Sequence, residues 1–155
     1  MKFNGYDIHE AEKKLNIIQT LTKTEFEEWK NKKKWAIARY HYDNNRFYKN
    51  LIGNYFPNKW EDLPIMEKEN YQIGFNNNLS NGYNKTNTYV SSTTGSTGKP
   101  FFFAKNKESH SMDWAVIKNR YSWHGINSKS KQARFWGLPT EIKPLLKENQ
   151  EYFLF

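Results

Sequence analysis

The chain has 155 residues, room for one domain and too little for two ordinary ones, and it carries a formal net charge of +8 with a pI of about 9.5. Aromatic residues make up 17% of it, far more large apolar surface than a disordered chain carries, although the mean hydropathy of −0.99 calls for an aromatic core under a very polar surface. There is no cysteine, which excludes a disulfide framework and a thiolate metal site, and four scattered histidines are poor material for zinc.

In chain order, the N-terminus "MKFNGYDIHE" has no apolar run fit for a signal peptide. No later stretch approaches the roughly 20 apolar residues of a membrane span, so the expected setting is the cytoplasm, with no membrane partner. Thr24 followed by Glu27 has the form of a capping box, and Phe26, Trp29, Ala36, Ile37 and Tyr40 recur at helix-like intervals, predicting a helix over about 24–42. Its basic cluster, Lys30, Lys32, Lys33 and Lys34, reads as a solvated face with Trp29, Ile37 and Tyr40 opposite. Nucleic acid is therefore not the expected partner. Asp43 or Asn44 can cap a short second helix carrying Phe47, Tyr48, Leu51 and Ile52, closed by Gly53 in a left-handed conformation. Pro64 then stops any continuing helix, and the Asn-rich stretch from Asn76 to Asn87 reads as a surface loop.

"NTYVSS" and "FFFAK" are β-prone, and between them lies "TTGSTGKP", whose Gly95, Gly98 and Pro100 suit a turn. Flanks this apolar argue for a loop between two strands and against a linker. The GxxxxGK[ST] phosphate loop does not fit, because Thr93 stands where its first glycine belongs and Pro100 where its Ser or Thr belongs. After the second strand, Asn106 or Ser109 can cap a helix with Met112, Ala115, Val116 and Trp123 on one face and Gly125 at its end. Glu108 and Asp113 suit the helix dipole. His110 and His124 read as cap-adjacent or surface residues, since no nucleophile motif accompanies them, and Trp114 and Trp136 read as core.

Small hydroxyl residues spaced by glycines can turn backbone N–H groups and hydroxyls toward a polyphosphate, with a lysine adding charge. "STTGSTGKP" resembles the phosphate loop of the adenylate-forming enzymes, the acyl-CoA synthetase and luciferase superfamily. With Lys99 ahead of Pro100 it is most similar to the phenylacetate-CoA ligase and capsular-polysaccharide CapK-like branch. "NNRFYKNLI", "WEDLPIMEKENY", "NRYSWHGI", "ARFWG" and "LLKENQEYFLF" resemble segments of that branch in the same order, covering the chain from about residue 35 onward.

The resemblance implies a mixed α/β fold: a helical first part, a strand–phosphate loop–strand hairpin, a helix and a strand, forming the N-terminal portion of an adenylate-forming domain. It implies phosphate contacts from Thr93, Thr94, Gly95, Ser96, Thr97, Gly98 and Lys99. It also implies ATP and Mg²⁺ as cofactors, and a carboxylic acid with a thiol such as coenzyme A as reactants. The family's later motifs, a Tyr-Gly-x-Thr-Glu segment with its Mg²⁺-binding glutamate and a mobile C-terminal domain, have no counterpart here, and Thr140-Glu141 in "GLPTE" lies too close to the loop to be one. The expectation is thus a truncated chain, inactive alone, whose partner is the missing C-terminal portion. Two other readings stay open on the residues: a non-catalytic binding module built on the basic helix, and a remnant without function.

Overall fold

The computed structural model describes residues 2, 3, 5–93, 101–127 and 129–131. A short antiparallel ribbon, β1 (Lys2–Phe3) and β2 (Tyr6–Asp7), leads into helix α1 (Ile8–Gln19). Helices α2 (Lys23–Asn44) and α3 (Arg46–Ile52) follow, then 3-10 turns at Trp60–Asp62, Lys68–Tyr71 and Phe75–Asn78. A hairpin of β3 (Thr88–Thr93) and β4 (Phe101–Asn106) runs directly into α4 (Lys107–Ser122). The architecture is mixed, with helices around small antiparallel ribbons. Among the described residues no helix is long and apolar enough to cross a membrane.

Helix α1 went unrecognised in the sequence, although Ile8, Ala11, Leu15 and Ile18 have helical spacing and the Asp7 carboxylate caps it by accepting from the Glu10 N–H at 3.0 Å. It packs along α4 through two small residues, Ala11 and Ala115, which are 3% and 1% exposed. Small side chains at a helix crossing let the two backbones approach closely. Pairs at the rim, Lys14–Glu108 at 2.5 Å, Lys118–Glu12, and Gln19 Nε2 donating to Asn119 Oδ1 at 3.0 Å, fix the register of the two helices. Ser111, buried beside them, accepts from the Asp7 N–H at 3.1 Å and donates to the Lys107 carbonyl, tying β2 to α4 across 104 residues of sequence.

The capping box of α2 is formed by Thr22 and Glu25, two residues earlier than Thr24 and Glu27. Both pairs have the right spacing. The deciding factor is that Thr20 and Leu21 still close the end of α1, through Thr20 N–H to Ile17 O and Leu21 N–H to Ile18 O, so Thr22 is the first residue free to start a new helix. Hydrogen bonds from the Thr22 hydroxyl and N–H hold the Glu25 carboxyl below its ordinary range.

The apolar side of α2 also differs from the expected one. Ile37 and Tyr40 are exposed, and the inward residues are Trp35, Ala38 and Tyr42. They face the segment after α3: Trp35 meets Phe56 and Trp60 edge-on at 6.0 and 5.4 Å, and Tyr42 lies 5.2 Å from Phe56. The Tyr42 hydroxyl donates to the carbonyls of Asn54 at 2.8 Å and Gly53 at 3.2 Å, satisfying the polar end of a buried ring. Within the lysine cluster, Lys30 pairs with Glu27 and Lys34 lies 4.5 Å over the Trp60 ring, as expected of a solvated face that also covers aromatic surface.

The cap of α3 is Asn45, not Asp43 or Asn44, which are the last residues of α2. Gly53 ends α3 with φ of 97° and ψ of −161°, a positive φ outside the helical left-handed region. Asn45 is 4% exposed; its Oδ1 accepts from the Tyr48 N–H at 2.8 Å while its Nδ2 donates to the Asn78 carbonyl at 3.0 Å. The Asn-rich stretch is thereby fastened to the helices, and its first residues belong to a 3-10 turn, not an open loop.

Candidate phosphate-loop hairpin

Strands β3 and β4 pair in one unbroken register from Thr88↔Asn106 to Thr93↔Phe101. That register leaves residues 94–100 as the connection at the tip. Thr93 is the last paired residue before it, and its Oγ accepts from the Phe101 N–H at 3.3 Å, which closes the mouth of the loop and leaves the hydroxyl proton available to another acceptor. The other expected phosphate contacts, Thr94, Gly95, Ser96, Thr97, Gly98 and Lys99, lie outside the described residues.

Because side chains alternate along a strand, Tyr89, Ser91 and Thr93 share one face of the ribbon with Phe101, Phe103 and Lys105. This face is held at both ends. Near the tip, Phe101 meets Tyr71 edge-on at 5.6 Å, and Tyr71 in turn lies 6.3 Å from Phe47, linking the loop base to α3. At the far end, where Tyr89 and Lys105 stand opposite each other, Lys105 pairs with Asp113 of α4 at 2.5 Å and Tyr89 stacks on His110 at 3.9 Å. On the opposite face Val90 and Ala104 are half-buried, while Ser92 and Phe102 are exposed. The result is a loop carried on a braced two-stranded stem.

Asn106 caps α4, its Oδ1 accepting from the Ser109 N–H at 2.7 Å, so strand and helix join without an intervening loop. Glu108, in the first turn, sits below its usual carboxyl range because Lys14 donates to it. His110 departs from the surface role expected of it. It is half-buried, stacked on Tyr89 and edge-on to Tyr6 at 5.3 Å, and its Nε2 accepts from Trp114 Nε1 at 3.2 Å. With Nε2 accepting, the neutral ring carries its proton on Nδ1, which is buried without a hydrogen-bond partner. The only sequence signal was the i, i+4 spacing of His110 and Trp114. Trp114 itself is partly exposed, and Trp136 lies outside the described residues.

Burial lowers the His110 pKa; Asp113 opposes that shift and Lys105 adds to it. A folded-state pKa below the ordinary value near 6.5 means that the unfolded chain takes up the proton first as pH falls. The stability involved is therefore complete above about pH 6.5 and declines as pH drops from there toward the folded value. His41 is lowered by burial as well and declines in the same window. The melting temperature should fall between pH 7.5 and 5, and His110→Phe, which keeps a ring against Tyr89, should reduce that fall. An identical pH slope in the variant would assign the whole effect to other groups.

His41 Nδ1 lies 3.0 Å from the Ser80 Oγ, a spacing that suits a base and a nucleophile. Ser80 is only 6% exposed, too covered to meet a substrate, and the adjacent Asn81 N–H bonds the Asn44 carbonyl at 2.8 Å. The pair holds the Asn-rich stretch against α2. A cleft of about 110 Å³ lies among Asp7, Glu10, Lys14, Glu108 and Ser111, well below the roughly 300 Å³ at which small-molecule sites begin. Among the described residues no group of three or more His, Asp or Glu side chains is placed to hold a metal ion.

No family model, curated protein or solved structure matches this chain.

Proposed function

We propose that the hairpin presents a polyphosphate-binding loop of the adenylate-forming kind, and that the chain contributes the phosphate-holding part of a phenylacetate-CoA-ligase-like or CapK-like enzyme. The observation that carries this reading is the order strand, Ser/Thr/Gly loop, strand, helix, with Thr93 and Phe101 paired at the loop's mouth and α4 beginning at Lys107. In that chemistry a carboxylate oxygen attacks the α-phosphorus of ATP and pyrophosphate leaves. The acyl-adenylate then passes its acyl group to a thiol such as coenzyme A. The loop's share is electrostatic, neutralising and positioning the departing pyrophosphate. A cytoplasmic setting goes with these reactants.

The donor set suits phosphate: hydroxyls at Thr93, Thr94, Ser96 and Thr97, the N–H groups beside Gly95 and Gly98, and the Lys99 ammonium. The resemblance assigns the nucleoside and Mg²⁺ contacts to later motifs that have no counterpart in this sequence. Pyrophosphate should therefore bind weakly and adenosine not at all. In an NMR titration, pyrophosphate should shift the amides of residues 93–99, and adenosine should leave them in place. Lys99→Ala should weaken the pyrophosphate response about tenfold, the loss of roughly one charge-assisted contact. Gly98→Val should weaken it further if that residue takes positive φ. If pyrophosphate moves none of these amides, the loop is a turn that holds no phosphate.

A further inference from the structure

Helix α2 carries two apolar faces, and the described chain covers one of them. Trp35, Ala38 and Tyr42 turn toward the segment that holds Phe56 and Trp60. Phe26, Trp29, Lys33, Ala36 and Tyr40 lie on another side, following one another at spacings of three, four, three and four, the a and d positions of a heptad pattern. This second stripe is open along its length. Phe26 and Tyr40 at its ends and Ile37 beside it are 37%, 38% and 53% exposed, Lys33 and Ala36 are exposed, and only Trp29 is half-covered. Helix α1 packs on α4, and among the described helices and strands α3 alone makes extended contact with α2.

The first turn of the stripe is arranged without help from other elements. Phe26 and Trp29 stack at 5.6 Å with ring planes 23° apart, and the Lys30 ammonium lies 6.0 Å over the Phe26 ring. Rings already fixed by their own helix lose little rotamer freedom on docking, which suits them as anchors of an interface.

Charge along the stripe selects what docks. Lys33 stands at its centre with Lys30 and Lys32 on its two flanks, the e and g positions. Lys30 pairs with Glu27, whereas Lys32 and Lys33 form no ion pair among the described residues, and Glu108, which feels Lys33 through space, is held by Lys14. A second copy fits this pattern badly. In a parallel pair Lys33 meets Lys33, and in an antiparallel pair with a opposite d, Lys30 and Lys32 meet their own counterparts around the two-fold axis. A nucleic-acid strand or an anionic membrane lays negative charge along the whole helix, Glu25, Glu27 and Glu28 of its first two turns included. A helix, in contrast, can set its acids opposite the lysines alone.

We infer that the Phe26–Tyr40 stripe of α2 docks an amphipathic helix of a partner protein, apolar where it meets Phe26, Trp29 and Tyr40 and acidic where it meets Lys30, Lys32 and Lys33. The stripe is about 21 Å long at the α-helical rise, the length of an ordinary helix–helix contact. The inference does not depend on the loop's holding phosphate.

The probe is a labelled synthetic peptide of about three heptads with Leu at a and d, one central a-position Glu, and Glu at e and g, which keeps the peptide from pairing with itself. A second peptide carries Lys in place of every Glu. By fluorescence anisotropy against the full chain, the acidic peptide should bind with a Kd on the order of 10 μM and the basic one at least tenfold more weakly. Lys33→Glu should weaken the acidic peptide at least tenfold and strengthen the basic one, a reversal that misfolding does not produce. Lys59→Glu, the same charge change at an exposed residue off the stripe, should leave both affinities within about twofold. Equal binding of the two peptides, no binding of the acidic one at about 100 μM, or unchanged affinities in Lys33→Glu would overturn the inference. So would a dimer of the chain at micromolar concentration that Lys33→Glu disrupts, which would make a second copy the occupant. Tighter binding of a single-stranded oligonucleotide or of phosphatidylserine vesicles than of the acidic peptide, lost in Lys33→Glu, would overturn it as well and make a phosphate-bearing surface the partner.

Discussion

Ala115→Glu should abolish the packing of α1 on α4 and lower stability by about 3–5 kcal/mol, enough to leave much of the chain unfolded at ambient temperature. Ala115 is 1% exposed at the crossing of the two helices, and a glutamate there must either bury an unpaired charge or force the helices apart. The pairs around the crossing, Lys14–Glu108 and Lys118–Glu12, are solvent-exposed and too weak to hold the helices once it opens. The loss should propagate, because Ser111, one helical turn before Ala115, anchors Asp7 and with it the N-terminal ribbon. Circular dichroism melts should show the cooperative transition displaced or gone. Arg120→Glu, a charge change on the exposed side of the same helix, should move stability by no more than about 0.5 kcal/mol. Equal small effects from both variants would mean that α1 does not pack on α4 in solution.

The second large effect is expected at Asn45, whose replacement by Ala should cost about 2–4 kcal/mol. One part is the lost cap of α3, typically about 1 kcal/mol, since the Tyr48 N–H no longer has an acceptor. The other part is the Asn78 carbonyl, left without its donor in a site where Asn45 is 4% exposed; an unsatisfied buried polar group costs about 1–3 kcal/mol. Asn45→Asp separates the two. The carboxylate keeps the cap but cannot donate to the Asn78 carbonyl, so its stability should fall between wild type and Asn45→Ala. Urea midpoints give the comparison. An Asp variant as unstable as Ala would indicate that the link to Asn78 carries the effect, whereas one as stable as wild type would show that the cap alone matters.

Short-range information decided much of the element order. The β3–β4 hairpin was legible because β-prone residues stand on both sides of a Gly/Ser/Thr run, and the start of α4 because Asn106 is a cap followed by helical spacing. For α2 the periodicity was legible but the boundary was not. Thr22 and Thr24 each precede a glutamate by three residues, and only the hydrogen bonds that finish α1 through Leu21 choose between them. The same holds for Asn45, which is distinguished from Asn44 by a carbonyl 33 residues away at Asn78.

By itself, the sequence determined a cysteine-free, strongly basic chain with helices, one Ser/Thr/Gly-rich hairpin loop, and a residue set at the tip of that hairpin suited to phosphate. Those properties live in composition and in neighbours a few residues apart. Tertiary structure alone decided which aromatic residues turn inward. Trp35 and Tyr42 do so, in place of Ile37 and Tyr40, because Phe56 and Trp60 fold back on that side of α2. It also decided that His110 stacks on Tyr89 and Tyr6, that His41 meets Ser80, and that Ser111 reaches Asp7. Each of these joins residues between 21 and 104 positions apart, as the paired numbers show. A polar or aromatic side chain has no preferred partner at such range until the backbone elements have packed, and no local periodicity records which one it will meet.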